Sequence, residues 1–346
     1  MLARHFRWIR GNHHSGTNKE RSDLSADSPS QNGAVSGRFA PSPTGDLHVG
    51  NLRTALVAWL AARSAGVDFV VRMEDLDRVT SSSTWEHRQL ADLVDLGLHW
   101  DGEVVRQSDR FDRYRAVLDE LSAGGRVYPC YCTRREIRAE IDNASQAPHG
   151  STPDGAYPGT CRDLTARQRA DRERAGRPPA LRLRTHGDEL SLTDMIAGPY
   201  TGVVDDFVLA RSDGIPAYNL AVVIDDIAQD VTQVVRGDDL LSSTPRHLLL
   251  QRLVGASHPM YCHVPLVVEA DGTRLAKRDH TIRRALTLQD LAGAGYGASK
   301  VLSALAGSLN LAEAGEPVSA EQLVDRFDSS LVPRQPIQID DLFPAA

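Results

Sequence analysis

The sequence predicts an α/β fold: a parallel sheet interrupted by an arginine-rich, cysteine-bearing insertion and followed by a short helical C-terminal subdomain. Three observations carry this. Residues 37–73 read as strand, helix and strand, the repeating unit of a parallel sheet. Residues 126–185 hold twelve arginines against seven acidic residues, and three of the four cysteines, in a chain of net charge -7. The sheet pattern then resumes with apolar runs at 206–211, 218–224 and 231–236. The organisation that follows is an extension (1–36), a first sheet half (37–125), the insertion (126–195), a second sheet half (196–262) and a C-terminal part with a loop motif and a truncated helical subdomain (263–346).

The composition sets outer bounds. With 346 residues, 41% hydrophobic and 25% charged, the chain buries a full core, and wholesale disorder is excluded. No apolar run approaches the roughly 18 residues of a membrane span, and four cysteines do not make a disulfide scaffold. Residues 1–36 are polar, lack periodicity and lack the apolar segment of a signal peptide. They read as a disordered extension, or as sequence upstream of the true start, and a cytoplasmic location follows by default. Residues 37–40 form a strand that runs into a proline-rich turn. Leu52, Ala55, Leu56, Trp59 and Leu60 then fall on one face of a helix, with Gly66 as its cap. Residues 67–73 are a buried strand ending in Glu74-Asp75-Leu76-Asp77. Helices are expected near 85–96, 109–123 and 246–254, with mixed helical pattern over 286–311. The apolar run 218–224 reads as a buried strand.

Four motifs and a cysteine cluster carry chemistry. Arg38 is delivered to the strand end, and two prolines fix the path beyond it through Phe39, Ala40, Pro41 and Ser42 to Gly45. His48, Gly50 and Asn51 open the helix, where free N–H groups and partial positive charge suit a phosphate. Gly50 lets a nucleotide approach the backbone. Glu74, Asp75 and Asp77 stand where open α/β sheets bind ligands, and a carboxylate there can hold an ammonium. Tyr218 and Arg236 offer a phenol and a guanidinium fork to a carboxylate. In Arg274-Leu275-Ala276-Lys277-Arg278, a mobile ammonium can follow phosphates and stabilise charge as pyrophosphate leaves. Lys277 stands out because Lys19 and Lys300 are the only other lysines. Cys130, Cys132 and Cys161 suit tetrahedral zinc, with Tyr157, His149 or water as the fourth ligand. Cys262 reads as core. Each feature also has a plain structural reading: a capped loop at Asp46, an acidic turn, an Arg236–Asp238 surface pair, a basic loop, free thiols, and a solvated helix over 162–177.

As a set, the motifs resemble those of class I glutamyl-tRNA synthetases. Residues 38–45 are similar to their Arg-Phe-Ala-Pro-Ser-Pro-Thr-Gly signature. Residues 48–51 resemble His-Ile-Gly-His at the first and third positions, residues 72–77 resemble Arg-Ile-Glu-Asp-Thr-Asp, and residues 274–278 resemble Lys-Met-Ser-Lys-Ser in the second lysine. The resemblance covers roughly residues 37–311. It implies a class I Rossmann-type catalytic domain with a zinc-containing insertion and a stem-contact-like end. By the same resemblance, His48 and Lys277 are catalytic, and both bind ATP together with Gly50 and Asn51. Glutamate falls to Arg38, Phe39, Ala40, Pro41, Ser42, Glu74, Tyr218 and Arg236, with Glu74 on the α-amino group. Magnesium accompanies the ATP. One structural zinc is held by Cys130, Cys132, Tyr157 and Cys161, a Cys-x-Cys…Tyr-x₃-Cys pattern of the glutamyl-queuosine branch.

Only 68 residues follow Arg278, fewer than the on the order of 100 of an independent anticodon-reading domain. That points to the same branch. Its expected partners are ATP, L-glutamate and queuosine-containing tRNA(Asp), with glutamate activated in the absence of tRNA. The basic insertion would meet the RNA, and a monomer with no membrane association is expected. Three alternatives stand beside it: a truncated synthetase charging tRNA(Glu), a His-x-Gly-His nucleotidyltransferase, which would not need Arg38 and Glu74, and a zinc-stabilised RNA-binding module without ATP turnover.

Overall fold

The computed structural model describes residues 35–145, 156–273, 275 and 286–343. The extension over 1–34 and His149 lie outside the described residues. The first unit is as expected. Strand β1 (Ser36–Phe39) leads to helix α1 (Val49–Ser64) and back to β2 (Asp68–Met73), parallel to β1 with Arg38 opposite Val70. Helix α1 is capped at Ala65, and Gly66 follows at φ 66°, the left-handed conformation that turns the chain back into the sheet. Next come α2 (Ser83–Asp95), β3 (Val105–Arg106), α3 (Phe111–Ala123), β4 (Val127–Cys130) and α4 (Arg134–Ser145). The arginine-rich α5 (Ala166–Arg174) buries no residue and is a solvated helix.

The insertion closes on β5 (Ala180–Leu183) and the hairpin of β6 (Glu189–Asp194) and β7 (Gly198–Val203). Its antiparallel sheet, β4-β5-β8, takes in β8 (Val208–Ala210), which lies past the boundary at 195 drawn from composition.

The run at 218–224 is a helix and not the strand expected: α6 spans Tyr218–Ala228. It is followed by β9 (Val231–Gly237), α7 (Thr244–Leu253), β10 (Met260–Val264) and β11 (Val267–Val268). The physical reason is burial on all sides. Residues 220–226 of α6 are all buried, so no polar face marks the 3.6-residue period, and a buried helix reads like a buried strand. The remaining elements are α8 (Leu288–Gly293), α9 (Ala298–Gly307), α10 (Ala320–Val324), β12 (Ile337–Gln338) and α11 (Ile339–Leu342). None of the described helices is long and apolar enough to cross a membrane.

The main sheet has the order β10-β9-β1-β2-β3, and every pair is parallel. Alternate residues divide it between two cores, as strand pleating requires. Val235 and Cys262 join a core with α1 and the C-terminal helices, whereas Val234 and Tyr261 join one with α3, α6 and α7. Chain order reverses between β1 and β9, so a crevice opens at their C-terminal ends.

Candidate active site

A cavity of about 380 Å³ occupies that switch point. It is lined by Arg38, Phe39, Ala40, Pro41, Ser42, His48, Gly50, Asn51, Glu74, Tyr218 and Arg236, which brings together all the described residues that the sequence assigned to glutamate or ATP. Arg274, Lys277 and Arg278 lie outside the described residues. Leu275, between them, is buried and lines the cavity.

His48 is the N-cap of α1. Its Nδ1 accepts from the Asn51 N–H at 3.3 Å, and Asn51 Oδ1 accepts from the His48 N–H at 3.3 Å. The helix start is therefore closed by its own signature residues. A Cβ on Gly50 would lie 3.1 Å from the His48 ring. The glycine thus makes room for that imidazole, a neighbour that sequence reasoning did not see when it reserved the space for nucleotide.

The charges beneath the cavity form a buried network. Arg72, fully buried in β2, donates to Asp226 at 2.8 Å and lies 3.7 Å from Glu74 and 3.8 Å from Asp225. Burial alone would lower its pKa, but Asp226, Asp225 and Glu74 hold it above the ordinary range. Arg38 donates to the Val235 carbonyl at 2.8 Å and to Asp226 at 3.4 Å. Asp225 accepts from Arg110 and the Tyr114 hydroxyl, both at 2.6 Å, and from Gln107 at 3.0 Å. Of the three acids after β2, Asp75 accepts from Ser108 and Asp77 from the Val79 N–H. Glu74 keeps 12% of its side chain exposed at the cavity. Burial pushes its carboxyl up to about 6, against the pull of Arg72 and then Arg38. Asp225 and Asp226 were legible as part of a motif, but they gained a role only once α6 was a helix, which turns both toward β2.

Arg236 is set apart by its partners. It is 5% exposed. It donates from Nε to His263 Nε2 at 3.0 Å, from Nη1 to His247 Nδ1 at 3.1 Å and the Tyr218 hydroxyl at 3.3 Å, and from Nη2 to Thr244 Oγ1 at 2.9 Å and the Leu240 carbonyl at 3.3 Å. Among the described residues none of its partners is a carboxylate, so the surface pair with Asp238 does not form. Burial, and then Arg236 itself, holds His247 well below the ordinary histidine range. His263 is lowered by burial as well, despite Asp194. Both rings are neutral acceptors, and the guanidinium keeps its full charge beside the cavity. Nothing in the sequence pointed to His247, His263 or Asp194, because lone histidines carry no spacing signal.

A second cavity, about 760 Å³, shares Ser42, Glu74 and Tyr218 with the first and reaches Cys132, Arg134 and Arg177 of the insertion. At its far side the sulfurs of Cys130, Cys132 and Cys161 lie within 4.8 Å of one another. The Tyr157 hydroxyl is 3.3 Å from Cys130 Sγ and 3.5 Å from Cys132 Sγ, and the two sulfurs of Cys132 and Cys161 are 3.4 Å apart. Tetrahedral zinc with Zn–S of about 2.3 Å separates its ligands by about 3.8 Å, so this three-sulfur, one-oxygen set fits the ion. Tyr157 is fixed by the Cys161 N–H, which donates to its oxygen at 2.9 Å, and by Arg182, 3.7 Å from the centre of its ring.

A parallel sheet with its crevice at the switch point, a capped helix N-terminus beside it and a buried arginine in it defines a Rossmann-type catalytic domain. Residues 34–336 match the family of class I tRNA synthetases (E and Q), catalytic domain, and the chain belongs to it. It is 53% identical to the glutamyl-Q tRNA(Asp) synthetase of Nocardia farcinica, over 88% of this chain and 93% of that protein. It is 46% identical to the one from Symbiobacterium thermophilum, over 88% and 95%. The crystal structure of a glutamate tRNA ligase from Elizabethkingia meningosepticum in complex with its amino acid superposes with a TM-score of 0.74 at 26% identity, covering 90% of this chain and 68% of that one.

Proposed function

We propose that the protein activates L-glutamate with ATP, without tRNA, and esterifies it to the queuosine base at the wobble position of tRNA(Asp). It is an aminoacyl-tRNA synthetase-like ligase. The observation that carries the glutamate reading is Arg236: a buried guanidinium beside a cavity, whose partners among the described residues are all neutral, can pair its charge with a carboxylate that takes over its two long 3.3 Å contacts, to the Tyr218 hydroxyl and the Leu240 carbonyl. The acceptor reading is supported by the relatives named for glutamyl-Q tRNA(Asp).

In the first step an oxygen of the glutamate α-carboxylate attacks the α-phosphorus of ATP, and pyrophosphate leaves. In the second a hydroxyl of the queuosine diol attacks the glutamyl carbonyl, and AMP leaves. Glu74 holds the α-ammonium. Arg236 and Tyr218, whose hydroxyl accepts from the arginine and so donates its own proton outward, take a substrate carboxylate. Arg38 and the turn from Phe39 to Ser42 shape the wall. His48, Gly50 and Asn51 at the start of α1, with Lys277, stabilise phosphate charge. Magnesium bound with ATP would supply further charge neutralisation. Zinc held by Cys130, Cys132, Tyr157 and Cys161 would brace the insertion, whose arginines flank the larger cavity where RNA enters.

The test is radiolabelled glutamate with tRNA(Asp) from cells grown with and without queuine. Pyrophosphate exchange should depend on glutamate and not on RNA, and label should enter only the queuosine-containing tRNA. Labelling of both preparations, or of tRNA(Glu) at its 3′ end, would instead identify a truncated tRNA(Glu) synthetase.

The raised carboxyl of Glu74 gives a pH signature. Only the ionised carboxylate holds an ammonium, so the glutamate KM should rise as pH falls through about 6. Glu74→Gln should be weak throughout and lose this inflection. A flat profile in the unsubstituted protein would remove Glu74 from the ammonium site.

A further inference from the structure

The histidine that holds Arg236 is itself held, by a residue the proposed reaction does not use. A guanidinium nitrogen has no lone pair to offer, so His263 Nε2, 3.0 Å from Arg236 Nε, is the bare nitrogen, and the proton sits on Nδ1. That Nδ1–H points at Asp194 Oδ2, 2.6 Å away, with both side chains fully buried. The other oxygen, Asp194 Oδ1, accepts from the N–H groups of Ile196 at 3.0 Å, Ala197 at 2.9 Å and His263 at 3.1 Å. The carboxylate cannot turn without breaking three hydrogen bonds. Although burial would raise its pKa, His263 and the turn amides hold it below the ordinary range, so it is ionised.

We propose that Asp194 is a positioning residue for substrate recognition: through His263 it fixes the tautomer that accepts from Arg236 Nε, and so sets the plane of the guanidinium fork. Asp194 lies at the end of β6, in the hairpin and outside the main sheet, so part of the recognition geometry is imposed from outside the Rossmann core. The inference rests on the reading that Arg236 receives a carboxylate of glutamate.

The geometry makes Asp194→Asn a sharp probe. Oδ1 must keep its three backbone donors, so the amide NH₂ faces His263 Nδ1. A donor there drives the ring proton to Nε2, where it opposes the Arg236 Nε–H at a 3.0 Å separation. Two facing donors leave a buried hydrogen-bonding group unmade. Asp194→Asn should raise the glutamate KM in pyrophosphate exchange about tenfold, the scale of one unsatisfied buried donor. The ATP KM and the kcat at saturating glutamate should stay near those of the unsubstituted protein. His263→Leu, which removes the acceptor at similar volume, should raise the glutamate KM likewise. His263→Gln puts a carbonyl oxygen near the place of Nε2 and should recover most of that loss. In the His263→Gln background, Asp194→Asn should add less than about twofold, so the double-mutant cycle closes on His263.

Nitrogen NMR of the histidines, read without substrate, should find His263 protonated on Nδ1 in the unsubstituted protein and on Nε2 in Asp194→Asn. Absence of glutamate-dependent exchange in the unsubstituted protein would overturn the glutamate reading itself. With exchange present, a normal glutamate KM in Asp194→Asn or His263→Leu would overturn the positioning role. So would an equal effect of Asp194→Asn in both backgrounds, or an unchanged His263 tautomer.

Discussion

Arg236→Ala is expected to raise the KM for glutamate in pyrophosphate exchange by two to three powers of ten, about 3–4 kcal/mol, with little change in the KM for ATP. The size follows from what the residue is. It is buried, it is charged, and none of its partners among the described residues neutralises it. Removing one member of a buried, hydrogen-bonded charge pair costs about 2–5 kcal/mol, because the other member is left unpaired. Glutamine, whose amide has no charge to lose, should lose far less of its weak binding than glutamate does. Arg236→Lys separates charge from geometry. A lysine offers three donors where the arginine satisfies five acceptors, so it should restore only part of the loss. Normal glutamate kinetics in Arg236→Ala would remove the arginine from the amino-acid site.

The zinc proposed at Cys130, Cys132, Tyr157 and Cys161 is expected to hold the insertion folded, so that a chelator unfolds it. Structural zinc contributes on the order of 10 kcal/mol in small zinc domains, more than a small sheet with few buried side chains can supply alone. The cluster at stake is Tyr128, Cys130, Tyr131, Tyr157 and Cys161, with a few partly buried neighbours. A chelator should therefore expose the amides of β4 and β5 to hydrogen exchange while those of β1 and β9 stay protected. Metal analysis should find about one zinc per chain. Cys132→Ser should lower that content, Tyr157→Phe should weaken retention by removing one oxygen, and Cys262→Ser, in a separate core cluster, should leave it unchanged. Equal zinc in Cys132→Ser would dismiss the cluster as a metal site.

Much of the candidate site was legible in the sequence. Signature residues read as one set, from Arg38 through His48 and Glu74 to Tyr218 and Arg236, line one cavity. They were legible because a strand end, a proline-fixed turn and a helix start are local features, written in consecutive residues. The first strand–helix–strand unit was legible for the same reason: α1 presents apolar residues at helical spacing, and Gly66 marks its end.

Which residue types gather at the C-terminal ends of the strands, and in what order, is written in the chain. Tertiary structure alone decided how their charges are shared. Helix α6 shows the difference: its residues from 220 to 226 are buried on every side, so its period was invisible, and only packing made it a helix that carries Asp225 and Asp226 beneath Arg72 and Arg38. Arg38 and Arg236 look alike in the sequence, both being arginines at strand ends. One is partly neutralised by Asp226, while the other is ringed by two neutral histidines, a hydroxyl pair and a carbonyl. His247 and His263 are 11 and 27 residues from Arg236, and Asp194 is 69 residues from His263. No periodic pattern links such positions. The contact that sets a buried group's charge and tautomer is long-range, and it exists only after the sheet and the hairpin have closed around it.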